Sequence, residues 1–293
     1  MSLVIYVNGN YVKEEDAKIS VFDHGLLYGD GVFEGIRAYN NHVFKLDEHL
    51  DRLYANAHSI MLDLWLSKEE MKEVVLETCR RNNFRDSYIR LVVTRGYGDL
   101  GLDPAKCPKA SIICIAAKIQ LYPQELYENG LVVNTVASRR NTSESTNPRF
   151  KSLNYLNNIM GKIESKLTGT IEAIMLNNEG YVAEATGDNI FIVRKGVLIT
   201  PPTYAGVLEG VTRNAVMELA RKRGIEVREA LFSRHDVWSA EECFLTGTAA
   251  EVISVIQVDG RLIGDGKPGT MTKMLNQDFR DLTQSDGPVI FND

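Results

Sequence analysis

The sequence predicts an α/β (α+β) protein of two domains, and three observations carry that expectation. Its 293 residues suit two domains at about 150 residues each. Apolar runs suited to buried strands alternate with segments of helical periodicity in both halves. Between the halves, Tyr122-Pro123 and Asn129-Gly130 break up a polar stretch. The expected domains are therefore residues 1–117 and 130–293, each α/β, joined by a linker over 118–129.

Taken in order, Val4–Val7 and Tyr11–Val12 read as a hairpin, because Asn8-Gly9-Asn10 favours the positive φ angles of a tight turn. Val43–Phe44 starts a short extended piece. Asp47 then precedes Leu50, Leu53, Tyr54, Ala57 and Ile60–Met61 at helical spacing. Ser67 and Glu70 form a capping box ahead of a second helix bearing Met71, Val74, Val75 and Thr78. Tyr88–Thr94 and Ala110–Ala117 read as buried strands. Beyond the linker come a strand over Leu131–Ser138, a helix over Tyr155–Lys166 and strands at Ile171–Leu176 and Ile190–Arg194. A helix over Arg213–Arg223, stopped by Gly224, leads to strands at Glu226–Glu229, Glu242–Leu245 and Glu251–Gln257.

Composition narrows the function classes. A net charge of -6 argues against a large phosphate-backbone surface, so no nucleic-acid partner is expected. No apolar run approaches the roughly 18 residues a membrane span needs, and Met1–Asn10 lacks the pattern of a signal peptide. Cys79, Cys107, Cys114 and Cys243 form no C-x-x-C pair and have no metal-ligand spacing, so free thiols, no metal and a cytoplasmic location are expected.

Four segments offer chemistry. Leu208 to Thr212 runs through Gly210 into a helix, and a glycine turn at a helix N-terminus can seat a phosphate, although a plain threonine cap reads the same way. Thr246-Gly247-Thr248-Ala249-Ala250 follows a strand with residues small enough for a ligand to approach the backbone, or simply makes a tight turn. Lys151 sits between apolar neighbours, where partial desolvation favours a nucleophilic amine; most lysines are solvated surface charges. Tyr155 lies four residues on, and Glu184 follows a turn and precedes small residues. Taken singly, the bland readings of Tyr155 and Glu184 are a half-buried helix aromatic and a hairpin-edge carboxylate.

Their order changes the weighing. The chain resembles the class IV aminotransferases, the fold type IV pyridoxal-phosphate enzymes, from about Val4 to Thr272. The matching segments are Tyr28 to Arg37 (YGDGVFEGIR), Glu48 to Leu53 (EHLDRL), Tyr88-Ile89-Arg90, Lys151 to Asn157 (KSLNYLN), Glu184 to Asn189, Gly210-Val211-Thr212 and Gly247-Thr248-Ala249. The resemblance implies pyridoxal 5'-phosphate at the domain interface, carried by Lys151 as the catalytic lysine. It implies a phosphate site from Arg52, Gly210, Val211, Thr212, Gly247 and Thr248, with Tyr155 at the ring's phenolic oxygen and Glu184 at its pyridine nitrogen. A homodimer or larger homo-oligomer is also implied.

Within the family, Phe33 to Arg37 followed by Tyr39, with Tyr88-Ile89-Arg90, resembles the branched-chain pattern. It implies substrate contacts from Tyr28, Phe33, Arg37, Tyr88, Arg90, Gly187, Thr248 and Ala249. Amino transfer from L-leucine, isoleucine or valine to 2-oxoglutarate, giving L-glutamate, is the expected reaction. D-amino-acid aminotransferases carry an Arg and His pair after the strand near Arg90, whereas Thr94 to Asp103 contains Arg95 and no later Arg or His. The 4-amino-4-deoxychorismate lyases have Phe-Glu-Thr where this chain has Phe33-Glu34-Gly35. A non-catalytic binding protein of this fold is expected to lack Lys151 or Glu184, and both are present. One spacing departs from some branched-chain members: Lys151 and Tyr155 stand four apart where those have five.

Overall fold

Asn8 and Gly9 take positive φ, 51° and 95°, and turn the chain between β1 (Val4–Val7) and β2 (Asn10–Lys13), as their identities predict. The computed structural model describes residues 2–119 and 122–292. Helix α1 (His24–Tyr28) ends on Gly29 at φ 69° and delivers the chain into β3 (Gly31–Tyr39) and β4 (His42–Val43). Helices α2 (Leu46–Ser59) and α3 (Lys68–Arg81) follow, then β5 (Ser87–Thr94) and β6 (Ser111–Ala117). Among the described residues these strands form an antiparallel sheet ordered β2-β1-β6-β5-β3-β4. Leu46, Leu50 and Leu53 of α2 and Met71 and Val75 of α3 close its core with Val32, Ile36, Ile89, Leu91 and Ile112. The Ser67–Glu70 capping box forms as expected, with Glu70 accepting the Ser67 N–H at 2.7 Å.

The second unit holds α4 (Gln124–Asn129), β7 (Leu131–Thr135), α5 (Leu156–Leu167), β8 (Ala173–Leu176), β9 (Val182–Ala185), β10 (Asn189–Arg194) and β11 (Val197–Thr200). It continues with α6 (Val211–Lys222), β12 (Val227–Glu229), α7 (Arg234–Trp238), β13 (Glu242–Gly247), β14 (Glu251–Val258), β15 (Arg261–Leu262) and α8 (Thr270–Thr283), whose last two residues group with the first unit. Its mixed sheet runs β12-β11-β10-β13-β14-β7-β8-β9, with β15 on β14. One face is cored by Leu131, Val133, Ile174, Ile190, Ile192, Leu245 and Val255; on the other, Phe191 and Phe244 stack at 4.9 Å.

Helix α5 is patterned inside out. It buries Gly161 and Ser165, while Leu156 and Leu167, 70% and 82% exposed, lead an apolar face with Ile159, Met160 and Ile163 on its outside.

Several expectations need correction. The linker over 118–129 falls partly on residues 120 and 121, which lie outside the described residues, and its second half is α4, anchored by buried Tyr122. The C-terminal assignment of the lysine also changes: Phe150–Asn154 and Leu282–Asp293 group with Met1–Ile119, the rest with the second unit. The cause is backbone pairing: Lys151 O accepts the Phe33 N–H at 2.9 Å and Gly31 O accepts the Leu153 N–H at 3.0 Å. Asp47 lies inside the first turn of α2, whose N-cap is Lys45, and β7 stops at Thr135. Strand β3 escapes periodicity because it is buried almost throughout, yet contains Glu34, Gly35 and Arg37. No helix of the described residues is long and apolar enough to cross a membrane.

Candidate active site

In the first unit, β3 is two-faced. Val32, Ile36 and Ala38 point into the core, and by strand alternation Phe33, Gly35 and Arg37 point the other way. Glu34 is the polar exception on the core side, and it is fully buried. Arg52 donates to it from Nε and Nη2, both at 2.8 Å, and His49 donates from Nδ1 at 2.8 Å. Burial pushes the Glu34 carboxyl up, but the Arg52 charge and His49 outweigh it and hold it at about 2. Burial pushes the His49 ring down, and the Arg52 and Lys151 charges add to that against the pull of Glu34. Arg52, expected at the phosphate, is therefore held in one orientation from behind.

That pair has a measurable signature. A carboxyl depressed on folding stabilises the native state above its unfolded value and loses the contribution as pH falls. For Glu34 this amounts to about 3 kcal/mol at pH 7, lost between about pH 4.5 and pH 2. Urea unfolding of Glu34→Gln should show the loss already at pH 7 and a shallower decline in acid than the native chain. Parallel acid declines would contradict it.

On the opposite face, Phe33 is a platform. The Lys151 Nζ lies 4.7 Å from its ring centroid, and the Arg90 guanidinium also lies 4.7 Å away. Arg90 Nη2 donates to the Tyr88 hydroxyl at 2.9 Å, and β-pairing sets Arg90 opposite Gly35 and Tyr88 opposite Arg37. Gly35 is needed there, since a Cβ would collide with the Tyr88 hydroxyl. Lys151, Phe33, Tyr88 and Arg90 thus come together. Arg37 stacks on Tyr39 at 4.7 Å, while Tyr28 donates to the Leu100 carbonyl at 2.6 Å from the end of α1. Cys107, Cys114, Cys79 and Cys243 are free thiols, and burial pushes Cys79 up to about 11 and Cys114 to about 12.

In the second unit, Glu184 is buried on β9 and pairs with Arg140 at 2.7 Å. It also accepts from Asn189 Nδ2 and the Leu208 N–H, both at 3.0 Å. These donors favour the carboxylate over the acid. Asn189 donates in turn to the Leu208 carbonyl at 2.9 Å, which ties Glu184 to the approach to α6. Gly210 is the N-cap of α6 and gives its first-turn amides no side-chain bond; a Cβ on it would collide with Asn189 Oδ1. With Val211 and the buried Thr212 it forms a close backbone cradle at the positive end of a helix, which fits an anionic phosphate. A buried, cation-paired carboxylate suits a ring nitrogen that must stay protonated. The chemistry of these donors therefore fits the cofactor group that the sequence implies.

Tyr155 is the half-buried N-cap of α5. Gly187 is exposed in the β9–β10 turn, with nothing near its would-be Cβ. Thr248 and Ala249 lie in the turn joining β13 to β14, next to Gly247, where a Cβ would collide with Asp188 Oδ1. Sequence reading misses Arg140, Glu34 and His49 as partners. The available signal was a buried-strand carboxylate, Glu184, which requires a cation somewhere in the chain.

Comparison with known proteins agrees with this chemistry. The family described as amino-transferase class IV matches residues 31–258. A putative branched-chain-amino-acid aminotransferase of Methanocaldococcus jannaschii is 54% identical over 289 residues, covering 99% of each chain. The crystal structure of the Escherichia coli branched-chain amino acid aminotransferase superposes with a TM-score of 0.94 at 35% identity, covering 98% of this chain and 97% of that one. The branched-chain amino acid aminotransferase of Thermobaculum terrenum, solved in its PLP form, gives a TM-score of 0.87 at 29% identity, covering 97% of this chain and 94% of that one.

Proposed function

This chain belongs to the class IV aminotransferases, and from that footing we propose that it moves the amino group of branched-chain L-amino acids to 2-oxoglutarate. Enzymes of this class use pyridoxal phosphate, which supplies an aldehyde carbon and a conjugated ring that draws electrons from the substrate's Cα. Lys151 would provide the amine that holds the group and would serve as the base for the Cα proton. Gly210, Val211, Thr212, Gly247 and Thr248 would offer donors to the phosphate, and Arg52 a cation. Glu184, paired with Arg140, would meet the ring nitrogen, and Tyr155 would donate to the phenolic oxygen.

The single observation that carries the substrate choice is the Phe33 platform. It sets an amine, an apolar aromatic wall and an arginine side by side. Phe33 walls the aliphatic side chain, with Tyr28 and Arg37 at its margins, and Arg90 with Tyr88 meets carboxylate. In the second unit, Gly187 and the Thr248–Ala249 turn would offer a seat to a substrate carboxylate.

The D-amino-acid reading has less support, because Arg95 is used up by the fold. Its Nε and Nη2 donate to Asp30 at 2.9 and 3.0 Å, and its Nη1 and Nη2 donate to the carbonyls of Met61 and Ile60 at 2.7 Å. The test is a half-reaction panel on the holoenzyme with L-leucine, L-valine and D-alanine, followed by cofactor absorbance. L-leucine should convert the cofactor and D-alanine should not; the reverse order would overturn the substrate choice.

The outward apolar face of α5, together with exposed Leu26, Leu100 and Leu102 in the first unit, supports a homodimer or larger homo-oligomer. A cytoplasmic setting accords with free thiols.

A further inference from the structure

We propose that Asp188 is a positioning residue: a neutral carboxylic acid beneath the Thr248–Ala250 turn that keeps the turn receptive to an anionic group of the substrate. This rests on the reading of Thr248 and Ala249 as a carboxylate seat. Strands β10 and β13 pair Asn189 with Thr246, so the next position sets Asp188 opposite Gly247. There Oδ1 lies so close to the backbone that a Cβ on Gly247 has no room. Gly247 then pairs with Glu251 across β13 and β14, which makes residues 248–250 the connecting turn. The carboxyl thus sits against the last strand residue before that turn.

Charge balance makes it an acid. Three buried carboxyls meet here: Glu172, Glu184 and Asp188. Lys162 on α5 pairs with Glu172 at 2.9 Å, and Arg140 pairs with Glu184 at 2.7 Å. Glu172 further accepts from the Ala173 and Thr186 amides and the Thr186 hydroxyl. Both cations are claimed, and what Asp188 receives is the Tyr122 hydroxyl, donated at 3.5 Å. With Asp188 protonated the cluster is neutral; with it ionised, a buried charge lacks its own cation. Accordingly burial, then Glu172 and Glu184, push its carboxyl up to about 7, against Lys162 and Tyr122. Ionisation would place a buried negative charge against a turn that is to receive another.

Two readouts follow. An acid raised on folding stabilises the native state most below its unfolded value, here 3.8, and loses that contribution as pH rises to the folded value near 7. The melting temperature of the native holoenzyme should therefore fall relative to Asp188→Asn by about 2–3 °C per pH unit between about pH 5 and pH 7. Calorimetric binding of 2-oxoglutarate to the holoenzyme should weaken about tenfold between pH 6 and pH 8, and Asp188→Asn should flatten that dependence. Tyr122→Phe removes a donor that favours ionisation, so both breaks should move to higher pH and keep the inference testable if Asp188→Asn does not fold. Binding with this pH dependence but no turnover would uphold the positioning role and sink the aminotransferase reading. Identical pH profiles in the native chain and the variants, or no binding at any pH, would overturn the proposal.

Discussion

Replacing Lys151 with alanine lowers turnover by at least about 10⁴-fold while leaving the unfolding transition nearly in place. The two halves of that result have separate causes. The amine is the one group on the Phe33 platform that can both bond an aldehyde carbon and relay a proton, and Arg90 beside it is too basic for either role. The strand pairing that holds the segment uses the Lys151 carbonyl and the Leu153 amide, which alanine keeps. The lost ring contact costs about 1 kcal/mol or less. Steady-state kinetics and urea unfolding on one preparation separate the effects, and small primary amines added to Lys151→Ala should restore part of the proton transfer. Turnover within tenfold of the native enzyme would remove Lys151 from the chemistry.

Arg140→Met is the second large effect, on stability as well as activity. The guanidinium is buried and bonds Glu184 at 2.7 Å, Asn158 at 2.9 Å and the Gly206 carbonyl at 3.4 Å. The substitution takes the guanidinium away from the buried Glu184 carboxylate, and breaking a buried pair from one side costs about 3–5 kcal/mol. A carboxylate deprived of Arg140 also has a weaker hold on its charge, so on the proposed reading it would hold a ring nitrogen protonated less well. Adding Glu184→Gln should recover part of the stability, because the carboxylate that lost its guanidinium is then neutral, while activity stays low. Unfolding of Arg140→Met within about 1 kcal/mol of the native chain would show that the pair contributes little.

Much of this was legible in the residues themselves. The Asn8-Gly9 turn, the Ser67 capping box and the helix closed by Gly224 at φ 75° depend on local chemistry, and local chemistry is written in neighbouring residues. Lys151, Glu184 and the Gly210 turn stood out through their order along the chain. What could not be read depends on pairing between distant segments. Nothing near Phe150–Asn154 says that it will lie against β3, and Arg139-Arg140 in a polar stretch looks like solvated surface. Likewise, the approach of Asp188 to Gly247 exists only once β10 and β13 are in register. Strand β3 hid because burial on both faces erases alternation.

The grouping of Phe150–Asn154 with Met1–Ile119 has a practical corollary for anyone dividing this gene. A fragment ending at Ile119 would encode most of a sheet but omit the edge segment that fills the Gly31–Phe33 end of β3. The complementary fragment would carry the reactive amine with no aromatic platform to seat it. Neither piece is a module to be swapped among relatives. Grafts that exchange one half should retain the 150–154 segment from the same parent as β3.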